Sequence, residues 1–411
     1  MNICILSTTT EAHLAGGSEM HCRLISEGAA ADGHRVTLLT TRHPEGKAAE
    51  EKNGVRTLYL DGTDHSMSVR WAARWRLKSL EKLRELHAAS RFDVLWAENL
   101  SGWHCSASRS GLALPLVTIM NGPGVRDGLR SEFNRVSTAG ELAVFAVKIL
   151  PQTLLFYLPW FYHTVKGADA LIAVSPESAN SIKAEFSFAA AKLHTVYNGI
   201  DVGLFRPDPP AGARTLERYG FSGAWPVLLM AGVLHKQKGF HLGLEAFRRI
   251  RDKISGARLL IAGDGPERAS LESLSVSSGL AGTVAFCGHV PQPALPEYYN
   301  ACDLFLNPTL RVEGHPLVAL EALACGKPVV TAAIGGTLST IVDGENGFFF
   351  KPGDVDAMTE KCLRLFADRN LLAAMSASAR SRALSKFSVG KMVREYLRIS
   401  AVVIDSFKGT L

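Results

Sequence analysis

Residues 310–331, LRVEGHPLVALEALACGKPVVT, decide how the rest of the chain is read. Glu313 and Glu321 stand with seven residues between them, Gly314, His315, Pro316, Leu317 and Val318 among these. Residues 318–325 are small and apolar enough for a buried helix. After Gly326-Lys327-Pro328, the run 329–331 has the β-branched character of a strand. Pro316 suits the first helical position, where its missing N–H would have had no partner. The amides of Leu317 and Val318 then point out of the helix start, a place that favours phosphate. Side chains on a helix lean toward its N-terminus, so Glu321 reaches back toward the same place. Glu313 lies in the loop just ahead. The stretch therefore predicts an anion site flanked by two carboxylates, each able to bind hydroxyls.

Outward from this stretch, apolar runs alternate with helical patterns in both directions. Strands are expected at 2–7, 35–41, 55–60, 92–98, 115–120 and 171–174, then at 225–231, 258–262, 284–287, 304–306 and 348–350. Two such series in succession predict an α/β protein of paired, doubly wound Rossmann-like domains. The expected boundaries are a first domain 1–195, a connection 196–224 marked by the Pro/Gly-rich run 207–223, a second domain 225–385, and a terminal helix within 386–411. Helices are expected at 18–31 with Ser18 as N-cap, at 66–87, at 101–111, over the helical pattern 355–384, and at 389–407. Gly16 and Gly17 allow backbone to approach a ligand closely. Lys238 extends a point charge to the entrance of a helix that starts near Phe240. Gly263-Asp264-Gly265-Pro266 is not a dinucleotide fingerprint, because Arg268 stands where a third glycine would be.

A length of 411 residues, 47% hydrophobic and 20% charged, predicts two or three globular domains. The net charge of +6 is spread along the chain rather than gathered in a stripe, so nucleic acid is not an expected partner. Anionic substrates or a weakly attractive membrane surface account for the excess. The seven cysteines show neither metal-ligand spacing nor a disulfide framework, which predicts reduced thiols in a cytoplasmic protein. The opening MNICILSTTT lacks a basic segment and a cleavage site, and reads as a first strand.

Two segments carry a second meaning. The 66–87 helix places Trp71 and Trp75 one turn apart among six cations, Arg70 to Arg84. Inward-packed indoles with a solvated basic face are expected, and a surface toward anionic lipid or a phosphorylated acceptor is the alternative. Residues 142–162 are the most apolar in the chain. A spanning helix needs about 20 uninterrupted apolar residues, and Lys148, Pro151, Gln152 and Pro159 interrupt this run. The expectation is a buried helix pair, with an acceptor groove or a membrane interface as the alternative.

The order Gly16-Gly17, Lys238, Gly263-Asp264-Gly265-Pro266, Glu313, Glu321 resembles that of family 4 of the retaining, Leloir-type glycosyltransferases, whose Glu-x7-Glu motif matches Glu313 and Glu321. The resemblance spans nearly the whole chain. It implies the GT-B fold, two Rossmann-like doubly wound domains facing across a cleft, with the donor mainly on the C-terminal side. It further implies transfer of a sugar from a nucleoside diphosphate to a hydroxyl of a glycan, a glycolipid or a small molecule, with the anomeric configuration retained. In that family the leaving phosphate oxygen takes the acceptor proton, so Glu313 would orient the sugar and Lys238 would stabilise the diphosphate. Gly16 and Gly17 would approach the diphosphate, Gly265 and Val290 the base, Glu321 the ribose, and His315, Pro316, Leu317 and Val318 would form the phosphate-binding helix start. Asn121 and His13 are the acceptor-side candidates. No metal and no cofactor beyond the nucleotide sugar is expected, and peripheral contact with the inner face of a membrane is compatible. The chain departs from the family at Met120, where a histidine is usual, and at Val233, where an arginine is usual. These departures raise an alternative, a catalytically weak nucleotide-sugar-binding subunit that supports a partner transferase.

Overall fold

The computed structural model describes residues 1–14, 16–66, 69–133, 136 and 138–408. The chain forms two compact units. The first comprises Met1–Leu129, Thr138–Gly199 and Val389–Leu411, and the second Arg130–Ser137 and Ile200–Ser388.

The first unit is built on eight strands: β1 (Asn2–Leu6), β2 (Arg35–Thr41), β3 (Ala49–Lys52), β4 (Val55–Leu60), β5 (Val94–Glu98), β6 (Leu116–Met120), β7 (Ala170–Ala173) and β8 (Leu193–Thr195). Their order in the sheet is β3-β4-β2-β1-β5-β6-β7-β8. All neighbours are parallel except the β3–β4 edge pair. In β1, Ile3 and Ile5 join one buried layer and Cys4 and Leu6 the other. A strand covered on both faces must be apolar throughout, which is why these strands read as continuous runs rather than alternating ones.

The second unit holds β9 (Val227–Ala231), β10 (Arg258–Ala262), β11 (Val284–Gly288), β12 (Leu304–Asn307), β13 (Val329–Ala332) and β14 (Gly347–Phe350), in the order β11-β10-β9-β12-β13-β14 and all parallel. All seven cysteines are free, and six of them are buried.

The terminal helix Val389–Lys408 packs on the first sheet through Met392, Val393, Tyr396 and Ile399. Two polar contacts fix its register on that sheet. The indole N–H of Trp96 donates to Ser400 Oγ at 2.8 Å, and His21 Nε2 lies 3.1 Å from the Tyr396 hydroxyl.

Several local expectations are corrected. Residues 101–111 are not one helix: a short turn, Trp103–Cys105, precedes a single helical turn, Ala107–Ser110. Residues 355–384 break at Asp368, whose carboxylate accepts the amides of Asn370 and Leu371 and so starts a new helix, Arg369–Lys386. The Pro/Gly-rich run contains a helix, Pro209–Arg218, capped by Asp208. Its prolines occupy the first turn, where an N–H is not needed. Gly212 lets that helix sit against the backbone of Asn300. Ser18 does not cap the first helix, Gly17–Ala31; Gly16 is its N-cap. Trp75 is buried, as expected, and donates to Ser101 O at 2.8 Å. The side chain of Trp71 lies outside the described residues.

The largest correction concerns residues 142–162. They do not form a buried helix pair but lie within one exposed helix, Ala139–Gly167. It is long and apolar enough to cross a membrane by length and composition. The prolines did not break it because two wide turns, Phe145–Ile149 and Thr153–Tyr157, precede them. A proline ring in a helix collides with the carbonyl four residues back. For Pro151 and Pro159 those carbonyls belong to Val147 and Leu155, each inside one of the widened turns, where the collision is relieved.

Ser400→Ala would leave the buried Trp96 N–H without its acceptor, a cost of about 1–3 kcal/mol. Urea unfolding followed by circular dichroism should show an earlier transition of the first unit. An unchanged midpoint would refute the contact's role in seating the terminal helix.

Candidate functional site

In the second sheet the chain runs outward from β9 to β10 and β11 on one side, then returns to place β12 on the other. Ligands in such sheets bind where the strand order reverses, beyond the carboxyl ends of the strands. That point lies between the loops after β9 and β12.

The two loops are tied by backbone. Leu310 N–H donates to Gln237 O at 2.8 Å, and Gly239, at φ +69°, lies so close to Pro308 O that a Cβ would collide with it. This junction delivers Lys238 to Glu313, whose Oε1 accepts from Lys238 Nζ at 2.7 Å and from Thr309 Oγ1 at 3.1 Å. Burial raises the Glu313 carboxyl, but the charge and hydrogen bond of Lys238, with help from Arg311 and Thr309, outweigh it and hold the group below the usual carboxylate range. Glu313 is therefore ionised at neutral pH.

Behind Glu313, its carbonyl accepts from Gly336 N–H at 2.8 Å. A Cβ on Gly335 or Gly336 would strike the backbone of residues 313–315. The Gly335-Gly336 pair thus presses the Glu313 loop into place, a role visible only once the two loops are side by side.

The helix Leu317–Ala324 begins directly after this loop. Pro316 is its N-cap, with φ −71° and ψ 114°, rather than its first helical residue. Leu317 and Val318 then head the helix, and first-turn amides have no partner within it. His315 is buried with its ring edge-on to Phe387 at 5.2 Å. Burial, aided by the nearby Arg382, pulls its pKa down to about 3. A neutral ring packed in this way supports the loop.

Glu321 is 2% exposed. Its Oε2 lies 2.7 Å from the Tyr299 hydroxyl, which also lies 3.1 Å from Val318 O. Burial lifts the Glu321 carboxyl to about 7, although the Tyr299 hydrogen bond pulls the other way. A hydroxyl has one proton, so two arrangements fit: Tyr299 donates to an ionised Glu321, or a protonated Glu321 donates to Tyr299 while Tyr299 donates to Val318 O. Nothing in the run Leu295–Ala301 singles out Tyr299 as a site residue in the sequence alone.

Gly263 and Gly265 follow β10. Their φ values are +143° and +155°, and side chains there would strike Gly232 O and the backbone of Leu234. Leu234 N–H donates to Asp264 O, and Glu267 N–H donates to Leu234 O. The loop's need for glycine is met by its own packing against the loop that carries Lys238. Val290 is buried just beyond the edge strand β11. Val233 is exposed, and His235 caps the turn Lys236–Lys238 by accepting Gln237 N–H.

The first unit gathers its own polar cluster at the carboxyl ends of β5 and β6. Glu98 Oε1 lies 3.0 Å from His21 Nδ1, and Glu98 Oε2 accepts from Asn121 Nδ2. Met120 is buried beside Val125 and Phe161, so its side chain belongs to the core. Asn121 Oδ1 is buried without a hydrogen-bond partner. His13 accepts the Thr10 amide at Nδ1, and its Nε2 lies 3.0 Å from Arg42 O, which ties the loop after β1 to the end of β2. Gly17 opens the first helix beside Gly16. Among the described residues, no group of three or more His, Cys, Asp or Glu is placed to hold a metal ion.

A family model described as Glycosyltransferase Family 4 matches residues 15–204, and one described as Glycosyl transferases group 1 matches residues 216–382. A GDP-mannose-dependent alpha-(1-6)-phosphatidylinositol monomannoside mannosyltransferase of Mycolicibacterium smegmatis is 35% identical over 226 residues, 54% of this chain and 59% of that protein. The aligned part therefore falls short of two thirds of that relative's length. The solved structure of sucrose-phosphate synthase from Thermosynechococcus elongatus superposes with TM-score 0.82 at 22% identity, covering 98% of this chain and 99% of that one. The Anabaena protein HepE, solved in complex with UDP-glucose, superposes with TM-score 0.72 at 20% identity over the full length of both.

Glu321→Gln keeps an acceptor for Tyr299 and removes the charge. A carboxyl raised from about 4.3 when unfolded to about 7 when folded binds its proton more tightly in the native state. Its contribution to stability is thus full below about pH 4 and is lost as pH rises toward 7. The variant escapes that loss, so its advantage over the natural protein should grow between pH 5 and pH 8, by on the order of 3 kcal/mol at most. His315 titrates in both proteins and cancels. Denaturant curves at the two pH values check this, and a constant difference between the proteins would contradict the burial argument.

Proposed function

This chain belongs to the family 4 glycosyltransferases of the GT-B fold, and on that premise we propose that it moves a sugar from a nucleoside diphosphate to an acceptor hydroxyl with retention of configuration. The observation that carries the reading is the Lys238–Glu313 pair at the switch point of the second sheet, immediately ahead of the helix that Leu317 and Val318 begin.

Each part has a task in such a reaction. Breaking the bond between sugar and diphosphate develops negative charge on the leaving phosphate. A fixed ammonium and unpaired first-turn amides stabilise that charge without having to reorganise. An arriving diphosphate would draw Lys238 from Glu313 and free one carboxylate oxygen to accept a sugar hydroxyl. Glu321 suits a ribose, since a carboxyl with pKa about 7 can accept from one hydroxyl or donate to another. The leaving phosphate oxygen would take the acceptor proton, so no base from the protein is required. In the first unit, Glu98 orients Asn121, whose Oδ1 is free to accept from a hydroxyl.

The mannosyltransferase relative and the UDP-glucose complex favour GDP- or UDP-sugars as donors. The acceptor class we propose is a glycan, a glycolipid or a small-molecule glycoside. The proposed location is cytoplasmic, peripheral at the inner face of the membrane, and no metal is needed for the proposed chemistry.

Thermal shift with UDP-, GDP- and ADP-sugars should reveal one donor that stabilises the native state. With that donor, Lys238→Ala should weaken binding by about 1–3 kcal/mol, the range for hydrogen bonds to charged groups. Glu313→Ala should depress turnover more than donor affinity. An unaltered dissociation constant in the Lys238 variant, measured by titration calorimetry, would overturn the site assignment.

A further inference from the structure

Among the described residues, the 29-residue helix Ala139–Gly167 alone is long and apolar enough to cross a membrane. From residue 139 to residue 160 not one residue is buried. Val147 is 78% exposed and Leu155 67%, with Leu142, Val144, Leu154 and Phe156 each above 40%. A helix apolar around most of its circumference is stable only in a core or in lipid, and over residues 139–160 this one has no core around it, only its last turns being packed, through Phe161 and Val165. Its length, about 43 Å at 1.5 Å per residue, exceeds the roughly 30 Å of a bilayer's hydrocarbon layer.

The topology nevertheless forbids spanning. The helix connects β6 to β7, and these strands are hydrogen-bonded neighbours in one sheet. A helix that crossed a bilayer would leave them on opposite sides. The chain must therefore enter and leave on the same face.

The C-terminal end of the helix carries an interfacial signature. Tyr162 and Phe188, both exposed, meet edge to face at 5.8 Å. Lys166 lies over Tyr162 at 5.7 Å. Trp103 is itself buried, and the exposed Arg109 and Arg76 lie over its ring at 4.9 and 5.2 Å, with His163 stacked on it at 5.5 Å, so the ring holds these cations at the surface. Aromatic rings with polar edges and cations beside them belong at the headgroup level of a membrane. Along the helix, Lys148 and Gln152 are exposed at i, i+4 and so share one narrow polar line. The hydroxyl of Thr153 is satisfied by Ile149 O.

We propose that the Ala139–Gly167 helix is a monotopic anchor that lies in one leaflet of an anionic bilayer. Its apolar arc would sit among the acyl chains, Lys148 and Gln152 would face the headgroups, and Arg76, Arg109 and Lys166 would bind lipid phosphates at its C-terminal end. The proposal deepens the peripheral location given above. It names the element that makes the contact and the charge of the lipid. Anchored in this way, the first unit could take acceptors that reside in the membrane.

The test is flotation of the full chain with phosphatidylcholine vesicles, with and without phosphatidylglycerol, beside a Val147→Glu/Leu155→Glu variant and an Arg109→Gln/Lys166→Gln variant. Melting curves establish that the variants fold. The natural chain should float with the anionic vesicles. The glutamate variant should lose roughly tenfold or more of that binding. The Arg109/Lys166 variant should bind more weakly and with less dependence on salt. Equal flotation of the natural chain and the glutamate variant would overturn the anchor while sparing a peripheral location. No flotation at any composition would overturn both. A dimer in sedimentation that the glutamate variant dissolves, with no flotation, would show that a second copy covers this face and would also overturn the anchor. Donor-induced thermal shifts in all three proteins report on the transferase reading independently of these outcomes.

Discussion

The contact on which the geometry of the second unit's candidate site depends is a backbone one, the hydrogen bond from Leu310 N–H to Gln237 O with Gly239 pressed on Pro308. Without it the loops after β9 and β12 would be two independent surface segments, and a lysine on one would have no reason to meet a glutamate on the other. With it, the Lys238–Glu313 pair forms at 2.7 Å in surroundings that leave the two side chains only 22% and 13% exposed. A pair so enclosed is screened little by salt, and removing one partner leaves a poorly solvated charge. The same loops carry the backbone approaches at Gly263, Gly265, Gly335 and Gly336, so four glycines that look like turn residues are better understood as clearances between neighbouring loops.

That distinction marks what was legible in the sequence. The parallel strands were, because strands buried on both faces are uniformly apolar over a short length. The edge strand β3, Ala49–Lys52, was not: its sequence AEEK has a single small apolar residue, and only pairing with β4 makes it a strand. The Glu313 loop and the helix after it were legible from Pro316 and the spacing of the carboxylates. Tyr299 and the Gly335-Gly336 pair were not, since both act through contacts with residues distant in sequence. Lys238 was legible as a charge at the entrance of the helix that starts near Phe240, but its pairing with Glu313, 75 residues away, was not.

Proline was the commonest source of misreading. Pro151 and Pro159 read as breaks, yet the Ala139–Gly167 helix widens its turns and continues. Pro209 and Pro210 read as a linker, yet they open a helix. The rule that a proline ends a helix concerns one carbonyl and one missing N–H, and either can be accommodated where the turn is wide or where the helix is just beginning. In the apolar helix the widened turns have a further effect. They leave backbone carbonyls less well bonded in a segment that no core shelters, a condition that lipid-exposed helices meet with nearby side chains. Thr153, bonded to Ile149 O, is placed to do so between the two prolines.

Glu321 presents the remaining tension. A carboxyl 2% exposed, with Tyr299 as its hydrogen-bond partner among the described residues, is a poor choice for stability, and burial pushes its pKa close to neutrality. A glutamine or an apolar residue would fill the same space at less cost. The position makes sense if the energy is recovered on binding. Under the proposed donor reading, a pair of vicinal hydroxyls would donate to the ionised form and replace the water that burial has removed, beside the Tyr299 hydroxyl that lies 2.7 Å from Oε2. A group that destabilises the free protein and is satisfied by its ligand raises selectivity, because a ligand lacking the hydroxyls leaves the carboxylate buried and under-bonded. Glu313, already paired with Lys238, carries no such penalty. In the proposed reaction the two carboxylates would contribute differently: Glu321 would discriminate by its need for partners, and Glu313 would bind a hydroxyl once an arriving diphosphate draws Lys238 away.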